Sequence, residues 1–64
     1  METVSLYNKD GFFVTYAECD FITIYNQNLE KVCRYPVQKN HVVYNITGWD
    51  GIESKEGIEL GIYL

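Results

Sequence analysis

The stretch Phe21-Ile22-Thr23-Ile24-Tyr25-Asn26-Gln27-Asn28-Leu29-Glu30-Lys31-Val32-Cys33-Arg34-Tyr35 decides the fold class. Its two flanks are built from β-branched and aromatic residues, which suit a pleated, half-buried surface better than a helix. Between them lies the polar cluster Asn26 to Glu30, whose asparagines tolerate the backbone angles of a tight turn. The stretch therefore reads as an antiparallel hairpin in which Ile22, Ile24 and Val32 can share a face.

Outward from this hairpin the same grammar repeats. Further turn clusters stand at Asn8-Lys9-Asp10-Gly11, Gln38-Lys39-Asn40, Gly48-Trp49-Asp50-Gly51 and Glu56-Gly57. The runs between them predict strands near Thr3 to Tyr7, Phe12 to Glu18, Phe21 to Tyr25, Lys31 to Tyr35, His41 to Thr47 and Ile58 to Tyr63. At the carboxyl end Ile58, Leu60, Ile62 and Leu64 alternate with Glu59, Gly61 and Tyr63, a period of two with one apolar face. The segment from Asp50 to Glu56 reads either as one helical turn or as an exposed loop. Helical spacing is otherwise hard to find anywhere along the chain. Short strands at regular spacing predict an all-β fold of about five to six strands, arranged as an antiparallel meander, a rolled sheet or a small barrel.

Sixty-four residues without repeat, low-complexity stretch or linker make residues 1–64 a single domain. A chain of this length buries only about 60 % of the surface its unfolded form exposes, so the core is small and self-association is open. With 47 % hydrophobic and 16 % aromatic residues, the composition is nevertheless that of a folding chain.

A net charge of −4 opposes the phosphate neutralisation behind most nucleic-acid binding, so direct binding of DNA or RNA is not expected. No run approaches the ~20 apolar residues of a membrane helix. Met1-Glu2-Thr3-Val4 has neither the basic nor the apolar region of a secretion signal, so a cytoplasmic location is expected. In that setting Asn45-Ile46-Thr47 is no glycosylation site, and Cys19 and Cys33 are expected to be reduced, buried and inert.

Candidate chemistry is sparse. Cys19, Asp20, Cys33 and His41 are the residue types that zinc uses, but the two thiols stand too far apart for the usual paired-ligand spacing. A Cys-His nucleophile pair has no visible activating turn or third group. Glu18 and Asp20 bracket Cys19, and carboxylates two apart on a straight strand share a face; their expected role is solubility at a turn or kink. The glycines fit neither a dinucleotide fingerprint nor a phosphate loop. No metal, no cofactor and no enzymatic activity are expected.

Six tyrosines and Trp49 supply more aromatic surface than so small a core needs, which is the composition of a protein interface. Asp50, Glu53, Glu56 and Glu59 recur every three residues beside Trp49, with Lys55 the one basic residue among them, and form an acidic series. The partner-binding surface is therefore predicted at Trp49, Asp50, Glu53, Glu56, Glu59 and Tyr63. The function expected from these features is that of a small acidic binding module for another protein with a basic surface. Size and charge place it by analogy with phage or mobile-element inhibitors that block a basic or nucleic-acid-binding surface of a host protein. The alternative is a structural homo-oligomer assembling through its C-terminal strand.

Overall fold

A computed structural model describes all 64 residues, and each run of β-branched and aromatic residues lies in a strand. In chain order these are β1 (Glu2–Asn8), β2 (Phe13–Cys19), β3 (Phe21–Tyr25), β4 (Lys31–Pro36), β5 (His41–Ile46), β6 (Gly48–Ser54) and β7 (Gly57–Tyr63). The fold is all-β, with no helix and hence none long and apolar enough to cross a membrane. It has seven strands rather than five to six because Gly48 to Ser54, expected to be a turn followed by a helical turn or loop, is extended.

The strands form two sheets, one in the order β2-β1-β5 and the other in the order β4-β3-β7-β6. A wholly antiparallel meander is not what forms, since β1 runs parallel to β5 and β3 runs parallel to β7. The cause is that the chain repeatedly changes sheets. Asp20 alone separates β2 from β3, and Thr47 alone separates β5 from β6, so each of these single residues is a corner between the two layers. Sequential strands are thereby split between layers, and the gaps within each sheet are filled by strands that return from the other.

Turn chemistry at the predicted clusters is explicit. The Asn8 side-chain oxygen accepts from the N–H groups of Asp10 and Phe12, and Gly11 takes φ +82°. The Asn26 side-chain oxygen likewise accepts from the N–H groups of Asn28 and Glu30, closing the β3–β4 hairpin. There Leu29 occupies the left-handed region at φ 62°. Ile22 and Ile24 lie opposite Tyr35 and Cys33, so Val32 falls on the other face from the one it was expected to share and is exposed.

The core lies between the sheets and contains Val4 and Leu6 from β1, Cys19 from β2, Ile22 and Ile24 from β3, Ile46 from β5, and Leu60 and Ile62 from β7. The shortest extent of the molecule is 15 Å, as expected for two sheets packed about 10 Å apart. Of the cysteines only Cys19 is buried; Cys33 is exposed, and both are free thiols. Burial raises the Cys19 thiol pKa, with the Asp20 carboxylate adding to the shift, so it is less readily ionised than an ordinary thiol.

Asp20 holds the β2–β3 corner. Its N–H donates to the Ile58 carbonyl at 2.8 Å and its carboxylate accepts from the Ile58 N–H at 3.0 Å, while its own carbonyl accepts from the Val37 N–H. A residue expected to sit at a kink for solubility is thus a hydrogen-bonding clamp between the start of β7 and the segment after β4. Glu18 remains exposed on its strand.

Candidate functional site

Residues directly opposite one another in an antiparallel pair share a face of the sheet. In the β6–β7 ladder Gly48 lies opposite Tyr63, Trp49 opposite Ile62, Asp50 opposite Gly61, Gly51 opposite Leu60, Ile52 opposite Glu59 and Glu53 opposite Ile58. Because Ile62 and Leu60 point into the core, Trp49 and Glu53 lie on the core side of the sheet, and Asp50, Ile52, Glu59 and Tyr63 lie on the outer side. Trp49 is not core, however: β6 is an edge strand that packs chiefly on β7, and the indole remains 43 % exposed. The six residues expected to form one surface are therefore divided between the two faces that flank the β6 edge.

Two of the four carboxylates of the acidic series, Glu56 and Glu59, are neutralised. Arg34, opposite Thr23 in the β3–β4 ladder, reaches Glu59 with its Nε at 2.7 Å and pairs with Glu56 through its terminal nitrogen. The guanidinium also lies 4.1 Å from the centre of the Phe21 ring. Thr23 is buried, and its hydroxyl donates to the Glu59 carboxylate at 2.5 Å. Lys31, Arg34, Ser54, Lys55, Glu56 and Glu59 line a shallow cleft without an apolar wall. Four carboxylates less Lys55 give the local sequence a charge of −3, a count that omits Lys31 and Arg34, which β4 brings to the same cleft from more than twenty residues away.

Asp50 and Glu53 take part in no ion pair. Asp50 instead accepts from the Tyr63 hydroxyl at 2.7 Å, and this bond raises the Tyr63 pKa, with burial and the Asp50 charge adding to the effect. Tyr63 stacks on Tyr25 with ring centres 5.1 Å apart. The site thus presents two uncompensated carboxylates, a half-exposed indole and a fixed tyrosine pair around one strand edge.

The β6 edge differs from the other three free edges. Natural sheets blunt exposed edges with bulges, lysine and proline. β2 has a register shift beside Tyr7, β5 has one before Ile46 together with Asn45 in the left-handed region, and β4 carries Lys31, Pro36 and a shift of its own. β6 pairs with β7 over seven residues with no shift, and contains no lysine, arginine or proline. Compared with protein-family models, with curated proteins and with solved structures, the chain matches none. The site must be read from its own geometry.

That reading includes residues the sequence did not single out. Arg34 and Thr23 form the network that neutralises Glu56 and Glu59. The one available sign was Thr23 itself, a polar residue between Ile22 and Ile24 in a strand buried on both sides, since a buried hydroxyl needs a partner.

The network also gives the fold a pH dependence. The Thr23 hydroxyl first and the Arg34 guanidinium second hold the Glu59 carboxyl below the usual carboxylate range, and the Ile58 N–H does the same for Asp20. A depressed folded-state pKa contributes stability that is present above the unfolded value, about 4, and lost as pH falls through the folded value. Urea midpoints should therefore fall as pH drops below about 4.5. Glu59→Gln and Asp20→Asn should start lower at pH 7 and lose less on acidification. An acid slope identical to wild type in both variants would exclude these two carboxylates as its source.

Proposed function

We propose that the protein is a non-catalytic binding module that takes up an extended, basic segment of a partner protein along the free edge of β6. The observation that carries this reading is the regularity of that edge, with seven residues in unbroken register and no bulge, lysine or proline. An added strand would take its affinity from main-chain hydrogen bonds and its specificity from alternate side chains. These would meet Trp49 and Glu53 on one side of the sheet and Asp50 and Ile52 on the other. Asp50 and Glu53, lacking cations of their own, favour lysine or arginine in the incoming segment. The small size, the net charge of −4 and the lack of a nucleotide or metal motif support a cytoplasmic inhibitor of the kind encoded by phages and mobile elements. In that role it would occupy a basic or nucleic-acid-binding surface of a larger host protein. Assembly through the C-terminal strand has no free edge to use, because β7 lies between β3 and β6.

The test is affinity capture from the native host, followed by binding measurements on the captured partner. Trp49→Ala should weaken the complex by about 2 kcal/mol or more, roughly thirtyfold, chiefly by faster dissociation. Glu53→Lys should instead slow association and flatten its salt dependence, because exposed charges steer encounter and are screened over ~8 Å at physiological ionic strength. Ile52→Lys, which places a charge on the edge, should oppose strand addition. If all three variants remain folded and bind as tightly as wild type at low and high salt, the β6 reading is wrong.

A further inference from the structure

The outer surface of the β2-β1-β5 sheet is apolar and uncovered. Val4 and Leu6 point into the core, so Ser5 between them points away, and the residues opposite Ser5 on both sides, Tyr16 and Val42, share that outer face. Tyr7 joins them. Its ring meets the edge of Phe13 with centres 5.7 Å apart and stacks on Tyr44 with centres 5.0 Å apart, so all three strands contribute to one aromatic cluster. Phe13, Tyr16 and Tyr44 are 55 %, 66 % and 58 % exposed. The chain as a whole leaves thirteen large hydrophobic residues exposed and buries eight, so covering this face would remedy a marked shortage of core.

We propose that this face is where two copies of the chain meet, back to back about a two-fold axis. Charge selects the occupant. A chain of net charge −4 repels its own copy unless the contact avoids charged groups, and the only charge on this face is Glu18, opposite Thr3 at one end. A basic partner would gain little here, since the unpaired carboxylates of β6 lie on the other sheet. Shape agrees, because an isologous contact requires a surface complementary to itself and two sheet faces can pack with their side chains interleaved. Area agrees as well. At the exposures above, and with about 200 Å² for each aromatic side chain, Phe13, Tyr16, Tyr44 and Val42 offer on the order of 400 Å² per copy. The surrounding Thr3, Ser5 and Tyr7 bring the pair close to the roughly 1,000 Å² of a small specific interface. The dimer expected is of micromolar strength and leaves both β6 edges free, so this proposal and the β6 reading stand or fall separately.

Sedimentation equilibrium on the whole chain tests it. The weight-average mass should rise from 7.5 kDa toward twice that value with a midpoint on the order of 10 μM. Tyr16→Glu combined with Tyr44→Glu should weaken the dimer at least ~100-fold by setting like charges against one another, with the circular dichroism spectrum unchanged. Should that protein not fold, Tyr16→Ser with Tyr44→Ser removes the contact area without adding charge, and should weaken the dimer at least tenfold. A wild type that stays at the monomer mass up to ~1 mM, well above any micromolar dissociation constant, would overturn the proposal. So would a dimer unaffected by the folded Tyr16/Tyr44 variant, or one dissociated equally by Ile52→Lys, which would place the contact at the β6 edge.

Discussion

Replacing Gly57 with alanine is expected to lower the urea midpoint far more than any other glycine substitution in the chain. Gly57 closes the β6–β7 hairpin at φ +133°, a conformation that residues with a Cβ rarely adopt. A Cβ at this position would also run into the Asp20 carboxylate, coming within 3.0 Å of its Cγ. Asp20 cannot simply move away, because the same carboxylate accepts from the Ile58 N–H and holds the corner between the sheets. Backbone strain alone costs about 1–3 kcal/mol, and the hydrogen bond from the Ile58 N–H to the Asp20 carboxylate is weakened in addition. Strain of that size is a substantial part of the stability of a domain this long, which at ~0.05–0.15 kcal/mol per residue is of order 3–10 kcal/mol. Gly51→Ala is the control. No atom lies within 4 Å of a Cβ built there, and its effect should be within about 0.5 kcal/mol. Equal urea midpoints for the two variants would show that the Asp20 clamp does not hold the fold.

The second large effect is expected from Ile62→Ala. Ile62 is fully buried on β7, beside Ile24 in parallel register on one side and opposite Trp49 on the other. Truncating such a residue removes transfer energy and leaves a void, costing about 2–5 kcal/mol. In a core of eight residues few neighbours are available to fill the space, so a loss of about 3 kcal/mol is expected. At ~4–8 °C per kcal/mol for a domain of this length, Tm should fall by more than ~12 °C. Ile58→Ala, on the same strand but 37 % exposed, should cost less than half as much. A smaller loss for Ile62 than for Ile58 would contradict the placement of the core.

Strands were legible wherever side-chain pattern and backbone preference agree. The β3–β4 hairpin, the alternation along β7 and the turns at Asn8 and Asn26 follow from local chemistry, because each sets its own φ and ψ or its own face. β6 was not legible for the opposite reason. Gly48, Asp50 and Gly51 favour turns locally, and the segment is extended only because β7 offers it seven partners in register. Trp49, Asp50 and Glu53 were grouped as one surface on an expected turn and loop, and their division between the two faces of β6 depends on a ladder that pattern could not reveal. The neutralisation of Glu56 and Glu59 was illegible for the same reason: Arg34 reaches them through β3, which lies between β4 and β7. The aromatic excess was visible as a set. Which tyrosines gather on one face, and that Tyr35 lies instead against the core, required the three-dimensional pairing.

The position of β7 also has a kinetic consequence. The seventh strand to be made occupies the interior of its sheet, between β3, made more than thirty residues earlier, and β6. Until it arrives the β3–β4 hairpin has one side unpaired, Ile22 and Ile24 lack Leu60 and Ile62, and the Asp20 corner lacks the Ile58 groups that clamp it. The β4-β3-β7-β6 sheet is therefore completed in one late step, after all the strands of the β2-β1-β5 sheet have been made. At ~5–20 residues per second, ribosomal synthesis holds the earlier strands in an open state for seconds. The long-range parallel pairings then require a slow, global search, in the millisecond-to-second range of sheet proteins whose contacts are mostly non-local.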